Sequence, residues 1–325
     1  VSVTVVGSLN EDVLIPVDRL PGRGETVIGG SPATAAGGKG ANQAAAAGRL
    51  GPGVHMVGRV GDDPAGARMQ AALAECRVNV SRVHRTPGVP TGTATIPVEK
   101  GSGENLIVVV PGANAALTAE DVDVAPVHRA DVLLLQLEVP METVAAAAHA
   151  AGGTVVLNPA PPAPLPAEVL ERVDVLVPNE HELAALAGVP DTERSPAEVV
   201  ELARGLMKDL PAPHHSQARG GPLQGGRAVV VTVGGRGAVV VPAGGGPALL
   251  QAPPPVTPVD TTGAGDCFCG ALCQAISRGQ ELAEAVRYAV TAAALSTTGP
   301  GARGALPANR DVQAALKRTP AAEPL

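Results

Sequence analysis

The 325-residue chain carries 24 Lys and Arg against 31 Asp and Glu, and a net charge of −7 with no basic run argues against a nucleic-acid surface. Hydrophobic residues make up 45%, but one Tyr, one Phe and no Trp occur, so Ala, Val and Leu must build the core, and aromatic stacking is excluded as the main grip on a base or sugar ring. The length admits one large α/β domain with an accessory element, or two domains; with no apolar run of membrane length and no signal-peptide pattern, a cytoplasmic protein with no membrane partner is expected.

Val3 to Val6 is a short apolar run ending in Gly7-Ser8-Leu9-Asn10-Glu11-Asp12. It reads as a buried first strand with polar groups at its C-terminal end, where open α/β sheets bind ligands. Asn10 and Asp12 are two apart, so in an extended chain both point the same way, either as turn formers or as a pair aimed at sugar hydroxyls. Val13 to Val17 and Thr26 to Ile28 read as short strands separated by Pro21 and several glycines. Ala36 to Gln43, Ala-Gly-Gly-Lys-Gly-Ala-Asn-Gln, leads into an Ala-rich helix from Ala44 to Leu50. This is no P-loop, because Gly40 follows Lys39 where that motif needs Ser or Thr to hold magnesium. The glycines instead let the backbone approach a ligand, with Lys39 and Asn42 as donors; a solvated lysine on a turn is the alternative.

His55 to Val60 is a further strand, followed by a helix from Ala67 to Ala74. Thr91, Thr93 and Thr95 then alternate with small residues up to Val98, and Asn105 to Val110 resumes extended character after Gly101-Ser102-Gly103, which predicts a β-hairpin. With the early strands it forms a small separate sheet, a lid built from about 11–36 and 89–112 and inserted in the α/β core. From residue 120 onward strands and helices alternate: strand Asp131 to Leu137, helix Met141 to Ala151, strand Thr154 to Leu157, strand Val173 to Val177, helix Leu183 to Ala187, and a helix from 196 to Leu210 capped by Ser195. Such alternation means a parallel sheet with helices on both faces, and it brings Glu138, Asn158, Asn179 and Glu182 to the ligand-binding edge. Each of these alone is more often a cap or turn residue.

Residues 211–227 are low-complexity and read as a mobile loop, with His214 and His215 solvated. Ala228 to Val233 is a strand, Gly234-Gly235-Arg236-Gly237 a tight turn and Ala238 to Val241 the returning strand; Thr232 and the glycines admit a nucleotide close to the backbone. The chain is organised around Asp260-Thr261-Thr262-Gly263-Ala264-Gly265-Asp266. Beyond it Phe268, Ala271, Leu272, Ala275 and Ile276 mark the apolar stripe of a helix, so the glycines sit at a helix start that attracts anions. Asp266 is then either a helix-start acid stabilised by the dipole or a base aimed at whatever approaches the anion. Cys267, Cys269 and Cys273 on this helix, and Cys76, read as reduced thiols of a cytosolic protein rather than zinc ligands.

Gly37 to Gln43 and Asp260 to Asp266, taken together, resemble the two signatures of the PfkB carbohydrate kinase family. Gly7 to Asp12, Pro111-Gly112-Ala113-Asn114, Gln136-Leu137-Glu138, Asn158-Pro159-Ala160-Pro161 and Pro178-Asn179-Glu180 stand in matching order over nearly the whole chain. The resemblance implies a ribokinase-like three-layer α/β fold, with a central mostly parallel sheet and a small β-sheet lid. It also implies transfer of the γ-phosphoryl of ATP to the 5-hydroxyl of D-ribose. Asp266 would take the hydroxyl proton while the amides of Gly263, Ala264 and Gly265 hold the developing charge. Asn10, Asp12, Gly38, Lys39, Gly40, Asn42, Glu138 and Asp266 would bind the sugar. Asn179, Thr232, Gly234, Gly235, Arg236, Gly237, Gly265 and Val290 would line the nucleotide site, with Glu182 orienting water around Mg2+. Asp260, Thr262, Ser296, Gly299, Gly301 and Ala305 match the site of an activating monovalent cation, K+, although Ala305 stands where a Ser is common. The resemblance further implies a homodimer joined through the lid sheets. The rival readings are another PfkB sugar or nucleoside kinase (fructose, deoxyribose or adenosine) and a noncatalytic sugar or nucleotide sensor on the same fold.

Overall fold

The computed structural model describes residues 1–208 and 226–325, so the loop expected at 211–227 lies, but for its last two residues, outside the described residues, as do His214 and His215. In chain order the strands are β1 (Val3–Val6), β2 (Asn10–Val17), β3 (Ala33–Gly37), β4 (Val54–Gly61), β5 (Val78–Thr86), β6 (Gly92–Glu99), β7 (Val108–Val110), β8 (Val132–Leu135), β9 (Thr154–Leu157), β10 (Val175–Leu176), β11 (Ala228–Thr232), β12 (Ala238–Pro242), β13 (Leu249–Gln251) and β14 (Glu323–Pro324). Ten of them form one sheet in the order β14-β13-β12-β11-β10-β9-β8-β1-β4-β5. It is parallel from β5 to β11 and antiparallel from β11 to β14. The remaining four form a second sheet, β3-β2-β6-β7.

The central strands are almost wholly apolar because both faces are covered, and buried Thr4 of β1 satisfies its hydroxyl on the Pro126 carbonyl (2.7 Å). Val132 and Leu134 of β8 belong to one buried layer, with the helices Lys39–Leu50, Ala264–Ser277 and Leu282–Ser296, while Leu133 and Leu135 belong to the other, with Met141–Ala150 and Pro196–Lys208. Aromatics contribute little to either layer; Tyr288, fully buried, donates its hydroxyl to Asn309 Oδ1 (2.8 Å) and carries the Arg278 guanidinium 5.7 Å over its ring. Among the described residues no helix is long and apolar enough to cross a membrane.

Three sequence expectations need correction. Thr26 to Ile28 is not a strand: Ile28 is 92% exposed, and the antiparallel partner of β2 is the Ala-rich segment Ala33–Gly37, held by its ladder despite weak intrinsic preference. The Val78–Thr86 strand was not anticipated, because an irregularity in its pairing with β4 puts the buried Val78 and Val83 an odd number apart and erases the period of two. The helix expected from Ala44 begins at Lys39, so Lys39 to Gln43 are helical.

Candidate active site

Gly38 turns the chain from β3 into the Lys39–Leu50 helix with φ 85°, a conformation that L side chains rarely adopt, and a Cβ there would stand 2.7 Å from the Asn10 nitrogen. The Gly-Gly-Lys-Gly turn is thereby pressed against the crossover from β1 to β2. The Ala41 amide donates to the Ser8 carbonyl (2.9 Å) and the Gly40 amide to Ser8 Oγ (3.3 Å). Ser8 Oγ donates to Glu138 Oε2, which also accepts from the Lys39 amide at 3.0 Å. Asn10 is held through Oδ1 by Asn114 Nδ2 (2.7 Å), and Asn114 is itself fixed by the Leu9 amide and carbonyl. The Asp12 carboxylate lies over Gly37, whose missing side chain makes room for it.

The second half of the site is the start of the Ala264–Ser277 helix, capped by Gly263 at φ 74°. One turn beyond Asp266, a Cβ on Gly270 would lie 2.5 Å from the Gln43 carbonyl oxygen and 2.9 Å from the Ala47 nitrogen, so the two glycine-started helices meet backbone against backbone. That approach sets Asn42 and Gln43 beside Asp266. Asn42 Nδ2 donates to Oδ2 (3.2 Å) and Gln43 Nε2 to Oδ1 (3.0 Å). Gln43 is oriented in turn by Asn158 Oδ1 (3.1 Å) and by Gln136, whose Nε2 donates to Gln43 Oε1 at 2.6 Å.

Burial lifts the Asp266 carboxyl above the ordinary carboxylate range; Lys39 and the Gln43 and Asn42 bonds pull it back, and Glu138 pushes it further up. Burial also lifts Asp12, to about 6, with Glu138 and Asp266 adding to the effect and Arg303 opposing it. Lys39 resists burial, because Asp266, Glu138 and Glu182 surround it and hold its ammonium charged. The acceptor side is thus an acid-rich basin around a single lysine, suited to a neutral, hydroxyl-bearing ligand that both donates and accepts.

Of the amides expected to face an anion, that of Ala264 donates instead to the Thr261 carbonyl (3.1 Å), while Gly265 and Asp266 sit in the first turn, ahead of the first helical bond from Cys267 to Gly263. Asp260 Oδ1 accepts from the Thr262 amide and Oδ2 from the Gly301 amide, each at 2.8 Å; burial opposes its ionisation, but these bonds hold it below the usual range. Gly299 abuts Ala305, and Ala302 abuts Gly263, so Asp260, Thr262, Gly299, Gly301 and Ala305 come together. Ser296 Oγ donates back to the Ala293 carbonyl (2.8 Å). A carboxylate and backbone carbonyls fit an alkali cation and no softer metal. Among the described residues no cluster of three or more His, Cys, Asp or Glu could hold a metal.

Asn179 and Glu182 cap one helix start reciprocally: the Glu182 amide donates to Asn179 Oδ1 (2.7 Å) and the Asn179 amide to Glu182 Oε2 (2.9 Å). Thr232, at the end of β11, pairs with Asn179 through an isolated bridge, and the Gly234–Arg236 turn follows directly. Burial lifts the Glu182 carboxyl above its ordinary range, against the Asn179 amide and Lys39. Arg236 is tied to Glu180 Oε1 (2.5 Å) and the Arg194 carbonyl (2.8 Å), and Val290 is 3% exposed within the core, so neither stands free at the edge. A divalent ion at Glu182 would have one carboxylate, already hydrogen-bonded, which fits contact through water and bound phosphates and not a protein cage.

Gln43 and Arg303 are among the residues at the site that received no role from the sequence. Gln43 was placed before the helix, where its face could not be read. Arg303 stands in a glycine-rich loop, and nothing local signals that its Nε donates to Asn42 Oδ1 at 2.8 Å, 261 residues away.

The sequence matches the pfkB family carbohydrate kinase profile over residues 2–309. It is 36% identical over 321 residues to a ribokinase of Bacillus subtilis (strain 168), covering 97% of this chain and 99% of that one. Among solved structures it is similar to a ribokinase from Thermotoga maritima (TM-score 0.84, 33% identity, 97% of this chain and 99% of that one). It is also similar to an Arabidopsis thaliana ribokinase complexed with ribose and ATP (TM-score 0.82, 32% identity, 97% and 98%). Full-length similarity of this extent, on a fold that brings both glycine-rich signatures to one carboxylate, means that the chain belongs to the pfkB family of carbohydrate kinases.

Proposed function

We propose that the chain transfers the γ-phosphoryl group of ATP to the 5-hydroxyl of D-ribose. The observation that carries this reading is Asp266, a burial-raised carboxylate held by Asn42 and Gln43 in the first turn of a glycine-started helix. Phosphoryl transfer asks for positioning and charge stabilisation, with the acceptor in line between a base and an anion site, and here the two adjoin in one helix turn. Asp266 takes the hydroxyl proton as the oxygen attacks, and the amides of Gly265 and of Asp266 itself face the charge on the transferring group. Asn10, Asp12, Gly38, Lys39, Gly40, Asn42 and Glu138 hold the other sugar hydroxyls. Asn179, Thr232 and the 234–237 turn lie along the nucleotide. The similar Arabidopsis protein, complexed with ribose and ATP, supports both substrates.

When bound, Mg2+ neutralises charge on the phosphates, with Glu182 holding its water shell. K+ would sit at Asp260, Thr262, Gly299, Gly301 and the Ala305 carbonyl. The small sheet acts as a lid, since β2 begins with Asn10 and Asp12, and β3 ends at Gly37, at the sugar pocket. Its exposed Leu106, Ile107, Val108, Val109 and Val110 form an apolar edge suited to a second copy of the chain.

A coupled kinase assay with D-ribose, fructose, 2-deoxyribose and adenosine, with and without potassium, tests the substrate; turnover of adenosine in place of ribose would overturn it. Asp266→Asn should lower kcat about 10²- to 10⁴-fold with little change in the KM for ATP, and near-normal turnover would remove Asp266 as the base.

A further inference from the structure

We propose that Arg303 is a positioning residue for this reaction: its Nε–H holds the Asn42 amide in the one orientation that presents Nδ2 to Asp266. The inference rests on the phosphotransferase reading above. A primary amide can be turned end for end with almost no change of shape, so something must choose between its two settings. Turned the wrong way, Asn42 would set its oxygen against the Asp266 carboxylate. Arg303 has only donors and therefore accepts one setting, with Oδ1 toward itself at 2.8 Å and Nδ2 toward Asp266 at 3.2 Å.

The rest of the guanidinium supports this role. Both Nη atoms are buried without a hydrogen-bond partner among the described residues, an arrangement that packing alone disfavours. Both are closed off from the open basin in this conformation, and among the described residues the one directed bond of the side chain is the bond to Asn42. The loop that supplies Arg303 also supplies the Gly301 amide to Asp260. That loop thus touches the catalytic turn at Asp260 and Gly263 directly and at Asp266 through Asn42. The charged and titratable groups around Asp266 are Lys39 on the Lys39–Leu50 helix, Glu138 after β8, Asp12 on β2, Glu182, Arg303 and the thiols of Cys267 and Cys269 on its own helix. Loss of the Asn42 bond, which favours the ionised form, moves the Asp266 titration upward.

The test compares Arg303→Met, Arg303→Gln, Asn42→Ala and the double variant Arg303→Met with Asn42→Ala in the full chain, reading kcat, both KM values and the pH profile of kcat. Arg303→Met should lower kcat about tenfold, leave the KM for ATP within about twofold, and move the acid limb to higher pH by about half a unit. Arg303→Gln keeps an N–H donor and should recover most of kcat. The double variant should be no slower than Asn42→Ala, because the two residues act through one bond. Wild-type kcat with an unmoved acid limb in Arg303→Met, or additive losses in the double variant, would overturn the proposal. If Arg303→Met does not fold, Arg303→Ala decides: it also removes the Nε donor and has less bulk to accommodate, so lowered kcat and a shifted limb support the role and wild-type kinetics refute it. Failure of the unaltered protein to phosphorylate any sugar would instead sink the functional reading, and this inference with it.

Discussion

The acid-rich basin is bought at the expense of stability, and Asp12 shows how much. Its carboxyl titrates near 6 in the folded protein against 3.8 when unperturbed, so its favourable contribution is complete below about pH 4 and lost as pH rises through 6. At about 1.4 kcal/mol per unit the shift corresponds to nearly 3 kcal/mol, reduced to about 1–2 kcal/mol because the group is partly open to solvent. Asp12→Asn should therefore raise Tm by about 2–6 °C at pH 8 and not at pH 4, while impairing ribose phosphorylation. Thermal melts at the two pH values, with ribose kinetics at pH 8, check both halves. The spacing of Asn10 and Asp12 on one strand face, and the charge of Asp266 beside two glycines, were legible from residue order alone. What Asp266 does was not, because a first-turn acid is common and its partners Asn42 and Gln43 lie 224 and 223 residues away. Arg303 was illegible for the same reason: its meaning is a single long-range bond.

At the scale of elements, the site exists because two helices approach at Gly270 closely enough for one to lend its amides to the other's carboxylate. Gly270→Val should push them apart, costing about 1–3 kcal/mol by overpacking and lowering kcat more than it changes the KM for ATP. Melting temperature and kcat should fall together; a variant that loses stability with unchanged kcat would separate the packing from the chemistry. The Ala264–Ser277 helix was legible because its apolar stripe has helical period and ends against a glycine turn. The small sheet was only half legible. Its β6–β7 hairpin follows from alternation, but β3 is Ala and Gly sequence made into a strand by its neighbour, and the irregularity in β5 hid a nine-residue strand of the main sheet.

For the whole molecule, the apolar residues left on the small sheet lead to the prediction of association. Val108 is 61% exposed and Ile107 60%, beside Val110 at 52%. Val108→Asp should convert a dimer to a monomer in light scattering coupled to gel filtration, without unfolding the chain; an unchanged mass, or a monomeric parent, would remove the small sheet as the interface. Alternation of strand and helix between residue 120 and β11 made the three-layer architecture readable, since each buried strand must have a helix on both sides. The antiparallel extension through β13 and β14 was not readable, because a two-residue strand near the chain end has no pattern of its own.

The near absence of aromatics has an optical consequence. Tyr288, the only tyrosine, is sealed in the core beneath Arg278 and bonded to Asn309, and no tryptophan occurs. Excited at 295 nm the protein is dark, so one tryptophan introduced on the rim of the small sheet would emit without background. If the small sheet closes over a sugar, as proposed for the lid, that emission would follow the closing in real time.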